Sequence, residues 1–553
     1  MDRRNFFGKA GMGVAACGMG IFAPVGYIGA ENEQDKDLEM KDQQLFIGED
    51  IAVAQTKYGK VKGFVLRGIN AFKGIPYGAD TSGKNRFMPP QPPAPWNDVR
   101  PAVFYGNSAP QDIYDRSPES YSAFVDHWNY DVLSEDCLRL NLWTPKLASG
   151  KRPVLVWLHG GGFSKGNGIE QDGYDGENIA REGDIVYCSI NHRLGPLGFT
   201  NLNGIDEKFK DSGNVGMLDI VAALKWVNEN ITAFGGDPEN VTVMGQSGGG
   251  AKVCNIATMP SARGLVHKGV ALSGASTHGL DAEYTKKLGK YILKEAGLEK
   301  NELEKLQNMP WGQYLKLAYK AADTLKQEEG NSGFVRGEFG PIADDISIPK
   351  GEYFSANDKQ PDIPLLFCST FHEWNPNRDN PELENITLEG VVDKLRDLYG
   401  DVTEEIVQAF SKNFPDARPI EIWAFIISNR QSGIEVANAK LKQDSPVYLA
   451  WFGWESPLFD GRHRAFHGID ISFWLLNTDL IITHTGGGAI PRRLSQKISR
   501  SLLAFMRTGD PNCDALPRWP QYTAKDVQTM ILNNECIVRN NPDKQGRAAL
   551  NNY

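Results

Sequence analysis

A chain of 553 residues that is 41% hydrophobic, 23% charged and 10% aromatic has the make-up of a globular enzyme and excludes global disorder. Its formal charge of -10, with 69 acidic residues interspersed among 59 basic ones, argues against nucleic acid as a partner, because phosphate backbones are held by clustered Lys and Arg. Length alone permits several domains or one large one.

The first thirty residues read as an address. Asp2-Arg3-Arg4-Asn5-Phe6-Phe7 precedes an uncharged, Gly- and Ala-rich stretch from Ala10 to Ala30. Adjacent arginines before a mild apolar segment resemble a twin-arginine export signal, so residues 1–30 are expected to be a signal segment. A bacterial periplasmic, envelope-anchored or secreted location follows, with no transmembrane span in the mature form because the glycines make the stretch weakly hydrophobic. Ile28-Gly29-Ala30 reads as a small-residue cleavage site, whereas Val14-Ala15-Ala16-Cys17 resembles a lipoprotein box that would place a lipid anchor on Cys17. Residues 31–48 are expected to be a charged, flexible tether. With no internal repeat and no second linker beyond it, residues 49–553 are expected to be a single domain.

Along that body, short apolar runs alternate with helical patterns. Val53 to Val65 reads as a hairpin pair, and Leu138 to Trp143 as a further strand. Val154 to Leu158, Ile185 to Cys188, Val241 to Met244, Gly269 to Leu272 and Leu365 to Cys368 are continuous apolar runs of the kind buried on both faces of a sheet. Gly216 to Asn230 has mostly helical spacing. The alternation predicts an α/β fold with a large, mainly parallel central sheet flanked by helices. Helical patterns dominate 281–325 and 388–441 and are expected to form cap insertions. The seven cysteines show no C-x-x-C pair or metal-like spacing and read as ordinary thiols, with a disulfide between Cys513 and Cys536 left open by export.

Two G-x-S-x-G patterns occur, at Gly162-Phe163-Ser164-Lys165-Gly166 and Gly245-Gln246-Ser247-Gly248-Gly249. The pattern alone leaves Ser164 and Ser247 tied. A nucleophile elbow needs a strand, a sharp turn and a helix starting behind the serine. Ser247 has the strand Val241 to Met244, flanking glycines and a helix expected from Gly250 to Met259. Ser164 follows His159-Gly160-Gly161-Gly162 and has no helix behind it, so its segment suits the other half of an oxyanion hole. Gly161, Gly162 and Gly248 are therefore the expected donors.

With these motifs in place, the chain resembles the type B carboxylesterases, a family that includes cholinesterases and bacterial esterases. Phe234-Gly235-Gly236-Asp237-Pro238 through Gly245-Gln246-Ser247-Gly248-Gly249 resembles the family's serine signature. Glu135-Asp136-Cys137-Leu138-Arg139-Leu140-Asn141 resembles its second signature, with Arg139 as a departure. Further matches run from Phe72 to Tyr77, through Arg86-Phe87, to Arg507-Thr508-Gly509-Asp510-Pro511 and Trp519-Pro520. The resemblance implies an α/β-hydrolase fold and a Ser-His-Glu triad. It carries the acid onto Glu373, after the run Leu365 to Cys368, and the histidine onto His467 in His467-Gly468-Ile469-Asp470. The implied function is a serine carboxylesterase acting on a small-molecule ester through an acyl-enzyme, with no cofactor and no metal. A catalytically inactive binding module and an acyltransferase using the same triad are the alternatives. His463 and His467 stand four residues apart like a metal pair, but the glutamate of H-E-x-x-H is missing. His159, His192 and His463 read as packing residues, and Gly486-Gly487-Gly488 as a mobile loop. Gln246 stands where the family commonly has glutamate, so a negative charge beside the serine is absent. Ala109 stands where relatives often have the cysteine that pairs with the Cys137 equivalent, which implies that this disulfide is absent. The oligomeric state is left open.

Overall fold

Among the described residues, twelve strands pair into one mixed sheet whose central strands are buried on both faces. In chain order they are β1 (Leu45–Phe46), β2 (Phe64–Leu66), β3 (Ile69–Pro76), β4 (Arg139–Thr144), β5 (Arg152–Leu158), β6 (Val186–Ile190), β7 (Gly236–Gln246), β8 (Lys268–Leu272), β9 (Leu365–Thr370), β10 (Val447–Phe452), β11 (Gln528–Leu532) and β12 (Ile537–Asn540). Across the sheet they lie in the order β1-β2-β3-β4-β6-β5-β7-β8-β9-β10-β11-β12. From β6 to β11 every neighbour is parallel, and the strands outside that block are antiparallel. This computed structural model describes residues 42–551 except 114–123, 125–128, 130–131, 149, 330–337, 352 and 356–358. The expected signal segment of residues 1–30, with Cys17, and the expected tether up to residue 41 lie outside the described residues.

The period of two along β5 shows how the core is divided. Val154, Val156 and Leu158 point to a cluster that includes Met217, Ile220 and Leu224 of helix α1 (Val215–Asn230). Leu155 and Trp157 point to the opposite cluster, with Leu494, Ile498 and Phe505 of a second long helix (Ala489–Thr508). A strand covered on both faces needs apolar residues at every position, which explains the continuous runs in the sequence. The largest sheet has the mainly parallel, helix-flanked form that the sequence predicts.

Several elements depart from the sequence reading. The hairpin closes over Val53–Thr56 and Gly59–Lys62 and joins a separate three-stranded sheet, while Phe64–Leu66 leaves it for the large sheet. The strand Val447–Phe452 and the helix Ala489–Thr508 add to the elements read from the sequence. The helical stretch after Asp281 resolves into Ala282–Ala296, Leu303–Asn308 and Trp311–Glu329. The stretch after Leu388 resolves into four helices, Leu388–Tyr399, Thr403–Asn413, Pro419–Ile426 and Arg430–Lys440. Cys513 and Cys536 are both free thiols, so the disulfide left open between them is not formed, and Cys137 is free and buried as well. Among the described residues, no helix is long and apolar enough to cross a membrane.

A buried ion pair ties the loop after β6 to α1. Asp219 accepts from Arg193 at Nε (2.8 Å), Nη2 (2.6 Å) and the backbone N (3.0 Å), while Arg193 Nη1 donates to the Met88 carbonyl at 2.8 Å. The two side chains are 2% and 0% exposed, so removing one partner strands a charge out of water. Asp219→Ala is expected to cost about 3–5 kcal/mol of folding stability. A denaturant titration checks this, and a loss below about 1 kcal/mol would contradict the pair's role.

Candidate active site

At the end of β7 the backbone turns sharply into helix α2 (Gly248–Ile256). Ser247, between them, has φ 58° and ψ -123°, a conformation an L-residue adopts only under constraint. The constraint is proximity: a Cβ on Gly249 would lie 2.0 Å from the Leu158 carbonyl oxygen of β5. The helix begins directly at Gly248, two residues earlier than the sequence suggests. Its N-terminus therefore stands immediately behind Ser247.

The loop after β5 closes against this elbow. Gly161 and Gly162 take φ values of 76° and 64°, which lets the chain curl in a way side chains would resist. A Cβ on Gly248 would meet the Gly162 carbonyl oxygen at 2.0 Å, and one on Gly160 would meet the Ser247 Cβ at 3.5 Å. The three glycines singled out in the sequence are thus brought together beside Ser247. Among the described residues, their N–H groups have no recorded acceptor, whereas the loop is anchored by Gln111, which holds the Gly166 backbone at 2.8 and 3.0 Å.

Glu373 and His467 meet through a short bridge between the loops after β9 and β10. His372 and Phe466 pair in parallel, the His467 N–H donates to the Glu373 carbonyl at 3.3 Å, and the Ala465 N–H donates to His372 Nδ1 at 3.3 Å. Burial pushes His372 down to about 3, so it serves as a neutral acceptor that aligns the two loops. Glu373 is 2% exposed; Oε1 accepts the Thr370 N–H at 2.8 Å and Oε2 lies 2.5 Å from His467 Nδ1. A carboxylate at Nδ1 fixes the proton there and leaves the Nε2 lone pair outward.

That lone pair faces Gln246, whose amide nitrogen lies 3.1 Å away. The indole of Trp374 stacks on the same imidazole, with ring centres 4.3 Å apart and planes at 27°. Trp374 remains 40% exposed and so forms an aromatic wall open to solvent. Its position after Glu373 marks it in retrospect, but nothing in the local sequence predicts the stacking. The three histidines read as packing residues do pack: His159 and His192 stack at 5.0 Å, and His463 stacks on Phe459 at 4.6 Å. Burial holds His463 down at about 4. The one trio of ligand-type groups within 4.8 Å among the described residues is His372, Glu421 and Glu455. Arg418 and Arg464 already pair with Glu421.

Asp470 lies fully buried close to Glu373 and His467 and accepts from Trp474 Nε1 at 3.3 Å. Burial, and then the charge of Glu373, push its carboxyl up to about 7. In the folded state it is therefore neutral in acid, and as pH rises from the ordinary carboxylate range through about 7 the fold must accommodate a buried charge. Asp470→Asn removes that burden. The melting temperature of the variant is expected to gain on the wild type by several degrees between pH 5 and pH 8. A gap that does not change with pH would contradict it.

The carboxylesterase family model matches residues 50–549. The chain is 33% identical over 512 residues to the para-nitrobenzyl esterase of Bacillus subtilis, covering 90% of this chain and 98% of that protein. It is 33% identical over 499 residues to the phenmedipham hydrolase of Pseudarthrobacter oxydans, covering 87% and 95%. Among solved structures, an esterase from Clostridium hathewayi that can hydrolyse aliphatic aromatic polyesters superposes with a TM-score of 0.79 at 32% identity, covering 92% of this chain and 99% of that one.

Proposed function

The chain belongs to the carboxylesterase family and hydrolyses carboxylic esters, and on that premise we propose that Ser247 is its nucleophile, His467 the general base, Glu373 the acid that orients it, and Gly161, Gly162 and Gly248 the oxyanion donors. The observation that carries this reading is the Glu373 Oε2 to His467 Nδ1 contact of 2.5 Å, made across two loops beside a strained serine.

In this mechanism His467 Nε2 takes the proton of Ser247 as its oxygen attacks the ester carbonyl. In the resting enzyme the same nitrogen accepts from Gln246. That contact keeps the proton on Nδ1 and must yield to the serine hydroxyl when substrate arrives. Backbone N–H groups of the glycine loop and of Gly248 hold the tetrahedral oxygen, and His467 returns the proton to the departing alcohol. Water repeats the sequence on the acyl-enzyme.

Trp374 offers an exposed aromatic face beside the imidazole. Together with a relative named for para-nitrobenzyl esters and a structural neighbour that can hydrolyse aliphatic aromatic polyesters, it supports esters carrying an aromatic ring as the preferred class. Ser247→Ala is expected to lower kcat on a para-nitrophenyl ester on the order of 10⁵-fold or more, and Glu373→Gln on the order of 10³- to 10⁴-fold, with the fold intact. A folded Ser247→Ala enzyme that retains a tenth of the activity would defeat the assignment.

The export reading of residues 1–30 rests on Arg3-Arg4 and the apolar stretch behind them. Replacing both arginines by lysine is expected to retain esterase activity in the cytoplasm of an expressing bacterium and deplete it from the envelope and medium. Unchanged fractionation would remove the twin-arginine proposal.

A further inference from the structure

Glycine peptides rotate easily, and rotation of one plane exchanges an N–H for a C=O. In an oxyanion loop such a flip replaces an attractive dipole with a repulsive one. The loop's function therefore depends on what restrains its carbonyls. The Gly161 carbonyl accepts from the Lys165 N–H at 3.1 Å, and the Gly160 carbonyl lies 3.0 Å from His159 Nδ1, which must carry a proton to bond it. One peptide earlier, the His159 carbonyl, which shares its plane with the Gly160 N–H, accepts from Lys252 Nζ at 3.0 Å.

Lys252 belongs to α2, five residues after Ser247, and is fully buried. A lysine in that position is costly unless its charge is used. Its ammonium also lies 5.5 Å from the centre of the Phe163 ring, the residue between Gly162 and Ser164. Buried in the same region is Glu170, 3% exposed, whose Oε1 accepts from the Tyr174 hydroxyl at 2.7 Å. Burial lowers Lys252 to about 7 and raises Glu170 to about 7, and the charge of Glu170 acts to keep Lys252 protonated. Burial and the neighbouring Lys252 together hold His159 well below its ordinary value, so the ring stays neutral. One side chain thus links the helix behind the nucleophile to the first peptide of the glycine loop.

We propose that Lys252 is a positioning residue for ester hydrolysis: its Nζ fixes the His159–Gly160 peptide from which the chain enters Gly161 and Gly162, so that the loop presents those N–H groups to the tetrahedral oxygen. This rests on the assignment of Gly161, Gly162 and Gly248 as oxyanion donors. Lys252 touches no reacting atom. Its effect falls on the transition state, because the donors it aligns bond the oxyanion more strongly than the ground-state carbonyl.

The test compares Lys252→Met, which keeps length and loses the donor, and Lys252→Gln, which is too short to span the gap, with Ser247→Ala run alongside. Each folded variant is assayed on a para-nitrophenyl ester and titrated with an aryl trifluoromethyl ketone, to which the serine oxygen adds to give a tetrahedral oxyanion. Both variants are expected to lose kcat on the order of 10²-fold, with KM within threefold, and to bind the ketone more weakly by a matching factor. Wild-type kcat in either folded variant, or a loss of kcat without matching loss of ketone affinity, overturns the proposal. If Lys252→Met does not fold, Lys252→Gln decides alone by the same two criteria; if neither folds, Lys252 is holding the fold rather than the loop and the proposal falls. Residual activity in Ser247→Ala would instead sink the underlying site assignment, so the two failures are distinguishable.

Discussion

The crowding between β5 and β7 at their carboxyl ends is the constraint on which the site depends. Strand β7 passes so close to β5 that only a glycine fits at position 249, and the chain can leave only by forcing Ser247 through φ 58°. That strain lifts the serine out of the sheet, puts α2 directly behind it, and pushes Gly248 against the Gly162 carbonyl. An elbow of this kind persists only because the surrounding sheet over-determines it. Here Val154, Val156 and Leu158 on one face, and Leu155 and Trp157 on the other, are all fully buried, and they fix β5 as the rigid partner.

The two halves of the site are assembled differently. Ser247 and its glycine loop come from adjacent parallel strands, so their geometry follows from the register of β5 with β7, Val154 opposite Val241 and Leu158 opposite Gly245. Glu373 and His467 come from loops ninety-four residues apart, at the ends of β9 and β10, joined by the His372 to Phe466 bridge. The imidazole is then bounded on three sides, by Glu373 at Nδ1, Gln246 at Nε2 and Trp374 on one face. Such enclosure limits the motion of a group that must meet a substrate within a fraction of an ångström.

How much of this was legible in the sequence follows the range of the interactions. The parallel core was legible because strands covered on both faces must be apolar throughout, as Val154 to Leu158 and Val241 to Met244 are. Ser247 was separable from Ser164 because strand, turn and helix are local features. Glu373 and His467 needed the family resemblance, since no local rule distinguishes His467 from His463. Val447 to Phe452 has the same apolar run as the other buried strands, and the helix from Ala489 is obscured by the three glycines before it. Lys252, Glu170 and Trp374 could not be read at all, and Asp470 is legible only as the acid of the His467 motif, with nothing local to show its burial. A lysine on a helix usually points to water, and only the closeness of α2 to the glycine loop buries this one. Likewise Cys513 and Cys536 invited a disulfide that the fold does not form.

The central claim is that catalysis passes through a covalent bond at Ser247. It is tested most directly by brief reaction of the enzyme with a fluorophosphonate, followed by proteolysis and mass spectrometry of the modified peptide. The account predicts one adduct per chain, on the peptide containing Gly245-Gln246-Ser247-Gly248-Gly249, formed in step with loss of esterase activity. An inactivated enzyme carrying its adduct on Ser164, or activity that survives full labelling of Ser247, would contradict it.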